Sequence, residues 1–249
     1  MPKRDDLILQ LVNEQGKITV NELAERLSVA VETIRRDLTS LDRRGLLHRI
    51  HGSAVSNKVN DVGHSFQRRL RQSSDEKRTI AQNALEYVFE GAVIGLDASS
   101  SSWHFAQKIP DIPCTVVTNS MHNINALVHK SNINTIATGG MYSSKYDAFY
   151  GPLSEQLLKR LRIDIGIFSC GGIDDEGAVW ESNALNAAVK RKMLEVCEKK
   201  FLLADNSKLA RKNLIQLTEL SNMDILFLDQ QPSEKLRAYC NANDVLITV

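Results

Sequence analysis

Short apolar runs alternate with helical stretches from about residue 75 to the C-terminus, and this alternation constrains the fold of the 249-residue chain more than any other feature. The apolar runs lie at 92–96, 115–117, 135–137, 163–168, 201–204, 225–228 and 245–247. Strands that are buried on both faces read as continuous apolar runs, and parallel strands need crossover helices between them. We therefore predict an α/β domain with a largely parallel sheet over residues 75–249.

The first 56 residues follow a different pattern, that of three helices and a β-hairpin. Thr19 is followed three residues later by Glu22, which predicts a capping box at the start of the second helix. Residues 46–55 alternate loosely between apolar and polar side chains, as two short strands around a turn do. Three helices followed by such a hairpin indicate a winged helix-turn-helix in residues 1–56.

Residues 57–74 are polar and include a basic segment at 68–71. We interpret this stretch as a linker and place the domain boundary here. Its basic segment could pack between the domains, transmit a signal or contact phosphate, and a solvated helix is the favoured interpretation. The predicted organisation is therefore a small N-terminal module over 1–56, a linker over 57–74 and a larger domain over 75–249.

The third predicted helix has the division of faces that a recognition helix needs. Ile34, Leu38 and Leu41 form an apolar back, which leaves polar side chains to meet base edges in the major groove. Arginine can hold a guanine edge or a phosphate with its bidentate fork. A basic hairpin beside this helix would reach the DNA backbone or minor groove. The predicted DNA-contacting residues are Glu32, Thr33, Arg35, Arg36 and Thr39 on the helix, and His48, Arg49 and His51 on the hairpin.

The overall charge of the chain gives no independent indication of a nucleic-acid partner. The formal net charge is +1, and residues 31–52 carry five arginines against three acidic residues. Charge alone would fit a solvated helix in a small bundle equally well. The combination of three helices, a glycine stop at Gly45 and a basic hairpin favours DNA binding. Asp37 is expected to pair with a neighbouring arginine.

Composition indicates a soluble, cytoplasmic protein without a cofactor or a metal. No run approaches the ~18 apolar residues of a membrane span, and the N-terminus leads into an amphipathic helix rather than an apolar signal segment. The four cysteines form no CxxC pair, and the six histidines are scattered without an HxxxH spacing. We expect reduced, partly buried thiols.

Polar and glycine-rich turns follow several of the predicted strands. The carboxyl ends of parallel strands meet at one edge of the sheet, where α/β proteins bind ligands. Small polar side chains and a helix N-terminus at such an edge favour an anion such as phosphate. Several such turns at one edge of the sheet suggest a small polar ligand.

The N-terminal motif resembles a known family. The residues that carry the resemblance are Thr33, Ile34, Arg35, Arg36, Asp37 and Leu38, followed by Leu41, Gly45, Arg49, Ile50, His51 and Gly52. This pattern is similar to the winged helix-turn-helix of the DeoR family, whose members regulate bacterial sugar metabolism. The sequence departs from the family at two positions. Ala30 occupies the expected N-cap where the family usually has serine, and Ser53 replaces a glycine after the hairpin.

The remainder of the chain, from residue 76 onward, resembles the C-terminal domain of the same family. That domain has a sheet similar to those of ribose-phosphate isomerases and CoA transferases. The resemblance implies operator DNA and a phosphorylated sugar as partners. On that basis the predicted effector-binding residues are Asp97, Ser99, Ser100, Ser101, Asn119, Ser120, Gly139, Gly140, Asp205 and Lys208. Lys208 would neutralise the phosphate, and Asp97 or Asp205 would accept hydrogen bonds from sugar hydroxyls. Winged-helix subunits usually pair on DNA, so we also expect a homo-oligomer. Segments 96–100, 168–170 and 180–187 resemble the branch of the family that controls L-fucose utilisation. That branch implies L-fuculose 1-phosphate as the effector and activation of fucose utilisation as the function.

Two other classes of function were weighed against a regulator. A sugar-phosphate isomerase-like enzyme with an added DNA-binding module is one, because Asp97, Glu181, Lys190 and Lys208 could supply acid–base groups. Isomerisation needs a carboxylate placed beside the substrate carbon, and the sequence does not give that geometry. An adaptor that uses its winged helix to hold protein partners is the other. We expect a regulator and not an enzyme.

Overall fold

The computed structural model describes residues 4–57, 59 and 61–249. Residues 1–3, 58 and 60 of the predicted segments lie outside the described residues. The N-terminal module consists of α1 (Arg4–Gln15), β1 (Lys17–Thr19), α2 (Val20–Leu27), α3 (Val31–Arg43), β2 (His48–Ile50) and β3 (Ser53–Val55). The three strands form an antiparallel sheet in the order β1-β3-β2, and β2 and β3 are the wing. Strand β1 was not predicted.

The apolar back of α3 seats this helix on the other two, as the sequence predicted. Ile34, Leu38 and Leu41 are fully buried in one cluster that includes residues from all three helices. The predicted capping box is also present at the start of α2. The Thr19 amide donates to Glu22 Oε2 at 2.8 Å, and the Glu22 amide donates to Thr19 Oγ1 at 3.2 Å. The N-terminal sequence pattern therefore fixes both the packing and the helix boundaries of the module.

Helix α4 (Phe66–Arg71) occupies the linker, and it is not the solvated helix that the sequence suggested. Phe66 is buried and stacks on His122, with ring centroids 3.7 Å apart. The guanidinium of Arg69 lies 5.4 Å from the Phe66 ring centroid and 5.3 Å from that of Tyr146. One face of the linker helix is therefore packed on the larger C-terminal domain, called the effector domain after its predicted role, while Arg68 and Arg71 remain exposed.

The segment before α4 is also held against the larger domain. Asp61 accepts hydrogen bonds from the Tyr146 hydroxyl at 2.5 Å and from Lys145 Nζ at 2.9 Å. The Val62 amide donates to the Ser182 carbonyl at 2.9 Å. At Gly63 the backbone comes so close that a Cβ atom would lie 2.2 Å from the Tyr146 hydroxyl. The close approach requires glycine at this position.

The effector domain begins with α5 (Ser74–Ala84) and continues as alternating strands and helices. Its first half contains β4 (Val93–Leu96), α6 (Ser100–Lys108), β5 (Cys114–Thr118), α7 (Met121–Leu127), β6 (Ile133–Ala137), β7 (Met141–Ser143), β8 (Ala148–Tyr150) and α8 (Pro152–Leu158). Its second half contains β9 (Ile163–Ser169), β10 (Gly172–Ile173), β11 (Ala178–Glu181), α9 (Ala184–Val196), β12 (Cys197–Leu203), β13 (Ile215–Glu219), β14 (Ile225–Phe227), α10 (Glu234–Ala242) and β15 (Leu246–Thr248).

Seven strands form the central sheet, in the order β15-β14-β12-β9-β4-β5-β6, and every neighbouring pair is parallel. These are the seven strands that the sequence predicted, so the predicted fold class is confirmed. The chain builds outward from β4 to β6 and then returns to the other side of β4 with β9. The gap between the carboxyl ends of β4 and β9 is therefore the topological switch point, where ligands bind in such sheets.

Apolar residues on the central strands alternate between two cores, one on each face of the sheet. Ile167 and Leu203 belong to one buried cluster, whereas Phe168 and Leu202, their chain neighbours, belong to the other. Successive side chains of a strand point to opposite faces, so a strand covered on both sides must be apolar throughout. This explains the continuous apolar runs of the sequence. The four cysteines are buried and free. Across the described part of the chain, no helix is long and apolar enough to cross a membrane.

Replacing Ala30 by serine is expected to stabilise α3. Ala30 is the N-cap of this helix and makes no side-chain capping hydrogen bond. A serine hydroxyl there would accept from an amide of the first turn, which contributes about 1 kcal/mol. Hydrogen exchange of the α3 amides measures the change as slower opening. Thr19→Ala, which removes an existing cap, should shift the α2 amides by a similar amount in the opposite direction. Unchanged exchange in Ala30→Ser would contradict the cap assignment.

Candidate DNA and effector sites

The outward face of α3 presents arginines that are free to meet DNA. Arg35 and Arg36 are exposed, and Arg36 makes no ion pair with any residue that the structure describes. Arg35 lies 3.1 Å from Glu32. Asp37 is held by a bidentate contact from Arg4 of α1, with Nη2 3.0 Å from Oδ1. Asp37 therefore pairs with an arginine, as expected, although the partner comes from another helix.

A shallow concavity on the same face extends the candidate DNA surface toward the end of α3. Its lining residues are Arg36, Thr39, Ser40, Arg43 and Arg44. The last three were not among the sequence-predicted contacts. The spacing of Arg36, Ser40 and Arg43 at i, i+4 and i+7 places them in one row, and this was the signal available in the sequence. Arg36, Arg43 and Arg44 make this surface positively charged, which suits a phosphate backbone, although Arg44 is also paired with Asp5.

The wing is joined directly to the recognition helix through Arg49. Arg49 Nη1 donates to Thr39 Oγ1 at 2.7 Å, and its amide donates to Asp42 Oδ1 at 2.9 Å. His48 is half-buried at the start of β2, and His51 is exposed at the wing tip. Two of the eight predicted DNA contacts, Thr39 and Arg49, are thus hydrogen-bonded to each other. Their contact orients the wing relative to α3.

The other face of the wing packs on the effector domain. Ile50 and Val55 form a buried cluster with Leu214, and Ile215 packs against it. The side chain of Val62 in the linker completes the contact. The two domains therefore meet through an apolar seam at the wing, and a cavity opens beside this seam.

This cavity has a volume of about 410 Å³ and lies at the switch point of the sheet. That volume is in the range of small-molecule sites. Its lining contains six Lys or Arg side chains, two histidines and one acidic residue, Glu181. The basic residues are Lys17, His51, His64, Arg69, Lys77, Lys190, Lys208 and Arg211. A cavity with this balance of charge is suited to an anionic ligand.

The floor of the cavity includes the N-terminus of α6, where Ser99 and Ser100 lie. Ser99 is the N-cap, and its hydroxyl accepts from the Ser102 amide at 3.0 Å. The amides of Ser100 and Ser101 donate to no other residue within the described ranges. Free amides and the positive end of the helix dipole stabilise a phosphate at such a position.

A buried charge cluster lies directly behind the floor. Lys190 Nζ is 3.0 Å from Asp97 Oδ2 and 2.6 Å from Glu181 Oε2, and it also donates to the Ser169 carbonyl at 2.6 Å. Burial alone raises the pKa of Asp97, but Lys190 and hydrogen bonds from Ser99, Ser102 and Ser169 outweigh it and hold this pKa below its usual value. Asp97 and Glu181 raise the pKa of Lys190 against its burial. Asp97 and Lys190 are therefore charged.

Asp97 uses its carboxylate to organise the loop. Oδ1 accepts from the Ser99 amide at 3.0 Å and the Ser102 hydroxyl at 2.5 Å, and Oδ2 accepts from the Ser169 amide at 2.9 Å in addition to Lys190. With 1% of its surface exposed, Asp97 lies beneath the cavity rather than in its lining.

The structure brings only part of the predicted effector set to the cavity. Ser99, Ser100 and Lys208 line it. The predicted residues outside its lining are Asp97, Ser101, Asn119, Ser120, Gly139, Gly140 and Asp205. Asn119 and Ser120 follow β5, and Gly139 and Gly140 follow β6. These four residues lie outside the cavity lining because β5 and β6 lie beyond β4, away from the switch point. Sequence reasoning missed five basic lining residues in the effector domain and linker, namely His64, Arg69, Lys77, Lys190 and Arg211.

The basic groups of the cavity lower one another's pKa values. Burial lowers the pKa of Lys77 to about 8, with Lys208 and Arg69 adding to the effect and Asp205 opposing it. Burial likewise lowers the pKa of His64, helped by Arg68 and Lys17. Burial is the main cause of both shifts and neighbouring cations add to it, so a bound anion would favour the charged forms of Lys77 and His64.

The guanidinium groups of Arg69 and Arg211 are only partly hydrogen-bonded. Each has a buried Nε–H without a partner among the described residues. Arginine carries five donors, and buried donors left unpaired are costly. Lys208 also makes no ion pair with any described residue. These unsatisfied donors favour an anionic ligand, as does the excess of basic side chains in the lining.

A winged helix-turn-helix joined to an α/β domain with a basic cavity defines a ligand-responsive DNA-binding regulator. Residues 4–60 match the model of the DeoR-like helix-turn-helix domain, and residues 72–230 match that of the DeoR C terminal sensor domain. The chain therefore belongs to the DeoR family. It is a transcription regulator with a sensor domain and not an enzyme.

Two relatives and one solved structure illustrate the similarity. The chain is 58% identical over 246 residues to the L-fucose operon activator of Haemophilus influenzae, and the alignment covers 99% of both chains. It is 38% identical over 230 residues to the L-fucose operon activator of Escherichia coli, covering 92% of this chain and 95% of that one. Ribose 5-phosphate isomerase A of Methanocaldococcus jannaschii shares 15% identity at a TM-score of 0.42, over 55% of each chain.

Arg36→Ala is expected to weaken DNA binding about tenfold or more, because a bidentate arginine contributes about 1–3 kcal/mol at a base edge. Fluorescence anisotropy on a footprinted control-region duplex measures the loss. Arg162→Ala, at an exposed position of the effector domain, removes the same charge and should leave the affinity unchanged. Equal affinities for Arg36→Ala and the unmodified chain would show that α3 does not contact DNA.

Lys190→Met is expected to lower the free energy of unfolding by about 3–5 kcal/mol, because it leaves two buried carboxylates without their cation. Urea denaturation followed by the fluorescence of Trp103 and Trp180 measures the change. Lys192→Met, on the same helix but paired only with Glu195 near the surface, should cost less than about 1 kcal/mol. Equal stability losses in the two variants would disprove the special role of Lys190.

Proposed function

We propose that this chain activates an L-fucose operon in response to L-fuculose 1-phosphate. The observation that carries the proposal is the basic cavity at the switch point, with six Lys or Arg side chains against one glutamate. The similarity to two L-fucose operon activators over more than nine-tenths of the chain supports the choice of sugar. A regulator of sugar catabolism would act in the cytoplasm.

The phosphate of this effector is proposed to bind at the N-terminus of α6. The free amide of Ser100 would donate to its oxygens, and Lys208 would neutralise its charge. The sugar would then extend toward Ser182 and Asn213, whose polar side chains also line the cavity. Asp97, which lies beneath the lining, would act indirectly by shaping the loops after β4 and β9.

The DNA contacts are proposed to come from the N-terminal module. The polar face of α3 would enter the major groove with Glu32, Thr33, Arg35, Arg36 and Thr39, and the wing would place His48, Arg49 and His51 at the backbone. Residues 1–56 would thus bind DNA, residues 57–74 would connect, and residues 75–249 would sense the effector. A homo-oligomer would present two recognition helices to one face of the duplex.

Calorimetric titration tests the effector assignment. The chain is expected to bind L-fuculose 1-phosphate but not neutral L-fuculose, because the basic cavity needs a charged ligand. Lys208→Met is expected to weaken binding about tenfold, the loss of one charge-assisted hydrogen bond.

Lys235→Met serves as the matched control, since this lysine is exposed and lies outside the cavity lining. Its affinity should equal that of the unmodified chain. No binding of L-fuculose 1-phosphate, or equal binding of unrelated sugar phosphates, would rule out the proposed effector.

A further inference from the structure

The effector cavity has a wall that belongs to the DNA-binding module. Lys17 of β1 and His51 at the wing tip line the same cavity as Lys208 and Arg211 of the effector domain. Neither Lys17 nor His51 makes an ion pair or a side-chain hydrogen bond with any residue in the described ranges. Their side chains are therefore available to a ligand in the cavity.

Packing between the domains fixes the backbone at both positions. Lys17 is paired directly with Val55 in the β1–β3 ladder, and His51 follows Ile50 in the chain. Ile50 and Val55 are the two wing residues buried against Leu214. The apolar seam thus holds Lys17 and His51 at the cavity wall for as long as the wing is docked.

The charge distribution makes the docked arrangement dependent on a counter-ion. Partial burial lowers the pKa of Lys17, and Arg211, Arg68 and Lys145 lower it further. The DNA-binding module therefore brings the Lys17 cation of β1 against cations of the linker and the effector domain. Like charges placed together across an interface are repulsive, and an anion between them converts the repulsion into attraction.

We propose that Lys17 and His51 are effector-binding residues, so that one phosphate group bridges the DNA-binding module and the effector domain. This inference rests on the phosphate cavity of the proposed function. The anion binds the docked arrangement more tightly than an undocked one, because only docking completes its set of ligands. It therefore shifts the population toward the docked wing. His51 cannot contact DNA and the anion at once, which links the two binding events.

Titration of the full-length chain with inorganic phosphate, which needs no assumption about the sugar, tests the inference. Lys17→Met and His51→Ala are each expected to weaken phosphate binding about tenfold. Lys17→Arg keeps the charge and is expected to retain the affinity, which separates a charge effect from a folding defect. Arg26→Met removes an exposed charge of the same module away from the cavity and should bind phosphate normally.

The outcomes separate this inference from the function on which it rests. If Lys208→Met loses phosphate affinity while Lys17→Met and His51→Ala keep it, the bridging inference is overturned and the effector-domain site stands. If the unmodified chain does not bind phosphate, or Lys208→Met binds it equally well, the proposed function fails and the bridge fails with it. Loss of affinity in all three variants, with Lys17→Arg and Arg26→Met unaffected, supports the bridge.

Discussion

The ion pairs that Lys190 makes with Asp97 and Glu181 hold together the segments that form the floor of the basic cavity. Lys190 comes from α9, Asp97 follows β4, and Glu181 ends β11, so one ammonium joins three separate segments. Asp97 in turn bonds the amides of Ser99 and Ser169 and thereby fixes the loops after β4 and β9. The buried charges impose one geometry at the floor of the cavity.

The pattern of apolar and polar residues predicted most of the fold, because each strand of the central sheet and each helix start can be recognised from its own local sequence. The seven parallel strands are apolar on both faces, and the Thr19 capping box marks a helix start locally. Strand β1 was not predicted because a strand of three residues is too short to show a recognisable alternation of apolar and polar side chains. The linker was misjudged because the partner of Phe66 is His122, which lies 56 positions further along the chain.

The effector site was predictable only in part, for a reason of topology. Strand ends attract small polar residues whether they bind a ligand or cap the next helix, and Ser120 and Asp205 are both N-caps. Only the gap between β4 and β9 opens into the cavity. The basic residues around it come from the wing, the linker, α5, α9 and the loop after β12. No spacing along the chain connects such distant positions, so their convergence appears only in three dimensions.

The hydrogen bond between Arg49 and Thr39 has a mechanical consequence. It couples the hairpin to the middle of α3. The wing and α3 would therefore rotate together about the apolar contact at Leu214. Helix α3 has 13 residues and is therefore about 20 Å long. A few degrees of rotation at the seam would displace the far end of α3 by an ångström or two, on the order of the tolerance of a hydrogen bond to a base edge.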